Sequence, residues 1–200
     1  MKSSPLENEK KTVDIMEAIY NRRAVRNYLP TKVSSDLIHI LLDAAMQAPT
    51  ALHEEARAFA VIQNKELLNR LSDSCKAELL NETDQFVSEQ RKRILGVVKQ
   101  KDFNVFYNAS TLIVIYSTYP GPFVTAECWL AAENLMLAAY GKGLGSCVIG
   151  FSLAALNLPE WKQELNIPAE MIPQAAIILG WPAEKPLRPG HDSPTVLSWK

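Results

Sequence analysis

Residues 111–117 read Thr-Leu-Ile-Val-Ile-Tyr-Ser, seven positions without a charge and rich in β-branched side chains. A strand with one wet face alternates apolar and polar residues. A run that is apolar at consecutive positions is a strand covered on both faces. Tyr119-Pro120-Gly121-Pro122 then breaks the chain. Residues 124–140 follow as a long helix that is apolar nearly all round, which places it in a core or an interface. The remaining pattern interleaves with these two elements. Residues 13–21 read as a helix. Ser34-Ser35-Asp36 offers N-cap chemistry to a second helix with Leu37, Ile40, Leu41, Ala44 and Ala45 at helical spacing, closed by Pro49. Strands are expected at 58–63, 146–149 and 175–180, and further helices at 65–80 and 84–101. A chain of 200 residues favours one domain with a real core. The expected organisation is a mobile tail over residues 1–11 and a single domain over 12–200.

The bulk numbers exclude several classes. Hydrophobic content of 48% and charged content of 22% fit an ordinary globular chain. A net charge of -1 gives no general attraction to nucleic acid or to an anionic membrane. The basic run Arg91-Lys92-Arg93 lies near Glu82, Asp84 and Glu89 and reads as a solvated helix face. The greasiest window, 128–140, is short and carries Glu133 and Asn134, so no membrane span is expected. Residues 1–11 are polar and lack the apolar segment of a signal peptide. Cys75, Cys128 and Cys147 are odd in number and unclustered, against a disulfide framework and in favour of a reducing cytoplasm. His39, His53 and His191 show no metal-ligand spacing, and no metal is expected.

Two motifs bear on function. Arg22-Arg23-Ala24-Val25-Arg26 places three fixed charges in five residues at the end of the first helix. Complementing a helix C-terminus needs fewer, and guanidinium forks suit phosphates and flat polar ring edges. Gly141-Lys142-Gly143-Leu144-Gly145 is part of a dinucleotide fingerprint in composition only. The fingerprint needs a strand before the glycines and a helix after them, and here the order is reversed. The glycines read either as a helix C-cap with a tight turn or as a loop whose backbone approaches a flat ligand. No side chain reads as a nucleophile with its base.

Four segments in order resemble the nitroreductase family, whose members bind FMN. Arg22-Arg23-Ala24-Val25-Arg26 is similar to its N-terminal Arg-Arg-Ser-x-Arg motif. Ala48-Pro49-Thr50 with 57–62 is similar to its Ala-Pro-Ser-x-x-Asn-x-Gln-Pro-Trp-x-Phe segment. Residues 133–139 with Gly143-Leu144-Gly145-Ser146 and Ile149-Gly150 resemble its central helix and following turn, and Leu179-Gly180-Trp181-Pro182 its Leu-Gly-Tyr-Pro segment. The resemblance implies an α+β fold with a mixed sheet flanked by helices, an intertwined homodimer, and two FMN sites in the interface.

Carried over residue by residue, the resemblance implies that Arg22 holds the FMN phosphate, Arg23 lies beside the ribityl chain and phosphate, and Arg26 reaches the N1/O2 edge of the ring. Thr50 and His53 would touch the flavin held mainly by the other subunit. Cys147, Val148, Ile149 and Gly150 would line the ring near N5 through backbone groups. Lys185 or Arg188 would add charge at the phosphate, with His191 where many relatives carry a final arginine. Ala24 replaces a ligand-bonding serine, His53 an asparagine, and Glu55-Ala56-Arg57 the Gln-Pro-Trp. Glu55 is expected to pair with Arg57 or to face solvent. The activity implied is a ping-pong oxidoreductase with no catalytic side chain. It takes hydride from NAD(P)H through FMN to an electron-poor acceptor such as a nitroaromatic, quinone or enone, the chemistry residing in the cofactor. The alternatives are a specialised relative (carbon–halogen cleavage or flavin fragmentation) and a flavin-binding protein without turnover.

Overall fold

The computed structural model describes residues 13–51, 56–81, 89–186, 190 and 192–200. The expected tail over 1–11 and the residues His53, Glu55, Arg188 and His191 lie outside that set. The first helix, α1 (Ile15–Asn21), starts at Asp14, whose carboxylate accepts from Met16 N–H at 2.8 Å. Next, α2 (Ser35–Met46) starts at Ser34, whose hydroxyl accepts from Leu37 N–H at 3.4 Å, as the N-cap chemistry predicts. Then come β1 (Arg57–Ile62), α3 (Lys65–Asn81), α4 (Glu89–Val98) and β2 (Thr111–Ser117). The next elements are α5 (Pro122–Gly141), β3 (Gly145–Val148), a single 3-10 turn over Gly150–Ser152, α6 (Leu153–Leu156), α7 (Pro159–Glu164) and β4 (Ile172–Gly180).

The sheet runs β1-β2-β4-β3, with every neighbouring pair of these strands antiparallel. Its mixed character comes from one further contact, a parallel bridge between Ala24 and Ser146 at the β3 edge. Strand β2 lies between β1 and β4 and is buried at all seven positions, which accounts for its unbroken apolar run. Ile113 and Ile115 face the core shared with α2 and α5. Leu112, Val114 and Tyr116 face the opposite core, built with α3, α6 and α7. The short helices α6 and α7 have no clear periodicity in the sequence. Trp161 fixes α7 by donating from its indole N–H to Ser74 Oγ of α3 at 2.8 Å.

The apolar character of α5 divides between two surfaces. Cys128, Ala131, Ala132, Leu135 and Ala139 are fully buried at helical spacing. On the outer surface, Phe123 is 73% exposed and Leu130 47%. The helix begins at Pro122, two residues before its expected start, because a proline's fixed φ suits the first helical position. It ends in a Schellman motif. Gly143 adopts φ 76°, its N–H bonds Tyr140 O at 2.9 Å, and Leu144 N–H reaches back to Ala139 O at 2.9 Å. The C-cap reading of the glycine run therefore holds for Gly143. No helix among the described residues is long and apolar enough to cross a membrane.

Candidate active site: a basic segment on the β3 edge

After α1 the chain lies along β3 as an extended segment. Val25 N–H donates to Ser146 O at 3.0 Å, Leu29 N–H to Trp181 O at 2.8 Å, and Ala183 N–H to Asn27 O at 3.0 Å. Glycines at one cross-strand pair make this contact possible. Gly145 and Gly180 are register partners of β3 and β4. A Cβ on Gly145 would stand 2.8 Å from Val25 side-chain atoms, and one on Gly180 would stand 2.8 Å from Tyr28 Cδ1. The glycine at 145 is thus a seat for the chain's own Val25, not for a flat ligand. With Val25 turned inward and 7% exposed, the alternation of an extended chain turns Ala24 and Arg26 outward, and both are exposed.

The three guanidiniums differ in their ties. Arg22 Nε lies 3.5 Å from Glu133 Oε1 of α5 in a partly exposed pair. Arg23 donates to Tyr20 O at 2.9 Å and to Arg22 O at 2.6 Å, while its Nε is buried without a partner. The Arg26 guanidinium lies over the Tyr107 ring, 5.8 Å from its centroid. Clefts of about 260 Å³ and about 530 Å³ flank the segment and share Arg23, Val25 and Pro186 as walls. Lys185 is exposed between Glu184 and Pro186, which line the larger cleft. Glu184 is the one carboxylate in that lining, and Asn27 Nδ2 donates to it at 3.1 Å.

On the strand side, Cys147 is 3% exposed, and its thiol lies 3.4 Å from Val148 O. Burial pushes this thiol up, and the nearby charges of Arg26 and Arg22 oppose the shift, so both arginines act on the β3 edge. Burial also raises Tyr28 far above the ordinary phenol value, with Cys147 adding to the rise and Arg26 opposing it. Tyr28 spends its hydroxyl on Val25 O at 2.6 Å. Neither group is a ready acid or base near neutrality. Ile149 N–H is taken by Ala176 O at 2.8 Å, and beyond it Gly150 has nothing within 4 Å of where a Cβ would stand. The β3 edge therefore carries Arg22, Arg23, Ala24, Arg26, Cys147 and Val148, with Lys185 beside the larger cleft, and Ile149 and Gly150 continue along it toward its other end.

Thr50 is not in that cluster. Its loop leads to Arg57 at the start of β1, whose register partner is Ser117, while Gly145 and Gly180 lie level with the other end of β2. The two corners are separated by six residues along the strands and three strand spacings across, roughly 20 Å by roughly 14 Å. Thr50 is tied to α5 through its neighbour: Ala51 N–H bonds Glu127, six residues or about 9 Å along the helix from the Glu133 that meets Arg22.

Sequence reasoning missed how this second corner is fixed. Arg57 is 7% exposed and donates to Ala48 O at 3.3 Å and Met46 O at 3.4 Å. It thereby caps the C-terminal carbonyls of α2 and complements the helix dipole. Glu127 of α5 is 5% exposed and accepts from Ala51 N–H at 2.7 Å. A charge inside an apolar helix was the available signal, since a buried charge requires a partner. Among the described residues no group of three or more His, Cys, Asp or Glu could hold a metal ion.

Comparison with known proteins identifies the family and the fold. The chain is 29% identical over 174 residues to a Methanothermobacter thermautotrophicus protein named "Putative NADH dehydrogenase/NAD(P)H nitroreductase", covering 87% of this chain and 80% of that one. It is 23% identical over 176 residues to the iodotyrosine deiodinase of Thermotoga neapolitana, covering 86% and 90%. Its fold matches the crystal structure of a nitroreductase with bound FMN from Bacteroides fragilis at a TM-score of 0.79 and 23% identity, over 93% of this chain and 97% of that one. The family model for nitroreductases matches residues 19–181, from the end of α1 to just past the end of β4, and the chain belongs to the nitroreductase family.

Proposed function

We propose that the protein is an FMN-dependent oxidoreductase that takes electrons from NAD(P)H and delivers them to an electron-poor small molecule such as a nitroaromatic, quinone or enone. The observation that carries this reading is the convergence of three guanidiniums on one pair of clefts, with Arg23 Nε buried and unpartnered. Buried donors are almost always satisfied, so an orphaned guanidinium nitrogen beside a cleft fits an anionic group such as a phosphate. The donor set fits FMN in particular. Arg22, Arg23 and Lys185 would hold the phosphate through charge-assisted hydrogen bonds. Ala24, whose side chain ends at Cβ, leaves room at the segment's outward face.

When bound, FMN would supply the hydride chemistry at its N5. This chain's residues do the rest. Arg26 would present positive charge to the ring edge where negative charge develops on reduction. The backbone from Cys147 to Gly150 forms a wall that opens at Gly150, where no side chain intrudes. Tyr28 and Cys147, held protonated by burial, keep side-chain acid–base chemistry out of the groove.

The functional unit in this reading is a homodimer of one domain spanning residues 12–200. Phe123, Trp129 and Leu130, exposed on α5, supply an apolar surface for the partner. The partner's Thr50 and His53 would close the flavin site from the other side. A second reading, reductive removal of a halogen from an aromatic carbon, is favoured by the likeness to the Thermotoga deiodinase.

The test is anaerobic addition of NADPH and then NADH to the FMN-loaded protein, followed by nitroaromatic, quinone and halotyrosine acceptors. Rapid bleaching with reoxidation by the first two acceptors supports the main reading. Reoxidation by halotyrosine alone supports the second. A bound flavin that never bleaches contradicts both.

A further inference from the structure

Tyr107 and Asn108 adopt φ 51° and 54°, the left-handed region that a bulky side chain avoids. Asparagine tolerates it, but a tyrosine there is an outlier. Such a conformation persists only where the surroundings over-determine it, and here they do. Asn104 Oδ1 accepts from Phe106 N–H at 2.9 Å and from Asn108 N–H at 3.5 Å. Helix α3 holds the same loop in three places. Ser72 Oγ accepts from Val105 N–H at 2.9 Å, Asn104 Nδ2 donates to Asn69 Oδ1 at 3.1 Å, and Lys76 Nζ donates to Phe103 O at 3.2 Å. Val105 and Phe106, each 1% exposed, anchor the loop in the core.

The outcome of this clamping is the placement of one ring. Tyr107 meets the edge of Phe103 at 5.6 Å and 87°, and its face receives the Arg26 guanidinium at 5.8 Å. That separation lies within the range of a cation–π attraction. Arg26 makes no ion pair among the described residues and is exposed. A long, free guanidinium on an extended strand samples many rotamers, and the ring restricts it to those above Tyr107.

We infer that Tyr107 is a positioning residue: the strained 104–108 loop holds its ring so that Arg26 is steered toward the flavin's N1/O2 edge. The inference rests on the FMN reading above and adds a residue to it. A guanidinium placed in advance at that edge favours reduced over oxidised flavin. The ring therefore acts on the flavin's redox equilibrium through Arg26 without touching the reacting atoms.

The experiment measures the ratio of reduced- to oxidised-FMN affinity, from the potential of the bound flavin in the holoprotein titrated against a reference redox dye, in four variants. Tyr107→Phe keeps the ring and is expected to match the wild type. Tyr107→Asn suits the left-handed backbone but removes the ring, and is expected to lower the reduced-to-oxidised affinity ratio about two- to fivefold. Arg26→Ala is expected to lower the ratio at least as far, and adding Tyr107→Asn to Arg26→Ala is expected to change it no further. A purely structural role would lower the urea midpoint of the apoprotein without moving the ratio. An unchanged ratio in Tyr107→Asn beside a lowered ratio in Arg26→Ala overturns the proposal alone. An unchanged ratio in Arg26→Ala overturns the assignment of Arg26 and the proposal with it. A Tyr107→Phe variant as impaired as Tyr107→Asn assigns the effect to the hydroxyl and overturns the ring argument.

Discussion

Arg22, Arg23 and Arg26 lie on a segment tied by its backbone to β3, with Val25 turned into the sheet and clefts on either side. Arg57, at the diagonal corner, turns inward and donates from its two terminal nitrogens to the carbonyls of Met46 and Ala48, its Nε left unpartnered away from the clefts. The residue type is the same and the environment decides its use. Where backbone hydrogen bonds and glycine seats fix the chain, Arg26 makes no ion pair among the described residues and Arg23 keeps an unpartnered Nε beside a cleft. Where a helix ends inside the fold, the arginine becomes the cap. Each corner also carries a buried thiol, Cys147 beside Arg22 and Arg26 and Cys128 beside Arg57 and Glu127.

The largest expected effect breaks the buried corner. Arg57→Ala removes charge-assisted bonds to two carbonyls and leaves space behind, and is expected to cost about 2–4 kcal/mol of stability. Arg26→Ala, at an exposed side chain, is expected to cost under about 0.5 kcal/mol. Urea unfolding of the two variants checks the contrast, and equal losses would remove the distinction between the corners. The basic corner is broken through its backbone instead. Gly145→Ala puts a Cβ 2.8 Å from Val25, and overpacking of this kind costs about 1–3 kcal/mol. FMN affinity is expected to fall with it, because the displaced segment carries all three arginines. A variant of full stability and full affinity would mean that the glycine seat is dispensable.

The buried thiols sharpen the comparison through pH. Burial raises Cys128 from an ordinary 9.0 to about 11, with Arg57 opposing and Glu127 adding to the rise. The folded thiol keeps a proton that the unfolded chain releases. This contribution to stability is therefore complete below pH 9 and is lost as pH rises toward 11, at up to about 1.4 kcal/mol per pH unit. Cys128→Ala is expected to flatten the alkaline limb of a stability-versus-pH curve, and an unchanged limb would contradict the assignment. The smallest effect is at the surface. Glu133→Gln breaks the 3.5 Å pair with Arg22 and is expected to change stability by under about 0.5 kcal/mol, while FMN affinity rises slightly because Arg22 loses its competing carboxylate.

Much of this was legible in the sequence because the physics that shaped it is local. The consecutive apolar positions of β2 and the Ser34 cap act within a few residues of themselves. The arginines of the basic segment are adjacent in sequence, so their shared cleft follows once the strand is extended. The remainder depends on contacts that leave no local trace. Glu127 meets Ala51 across 76 positions. Arg57 caps a helix through carbonyls, which every residue possesses. The glycines at 145 and 180 are visible in the sequence, but what rests on them is not. The left-handed turn at Tyr107 is imposed by α3 and the core, against the preference of its own side chain.

The most direct test of the account compares FMN with riboflavin by spectral titration of the wild type and of the Arg22→Ala/Arg23→Ala double variant. Two or more charge-assisted bonds to the phosphate predict that the wild type binds FMN at least about tenfold more tightly than riboflavin, and that the double variant loses most of this preference. Equal affinity of the wild type for the two flavins, or an undiminished preference in the double variant, would contradict the claim that Arg22 and Arg23 hold the phosphate.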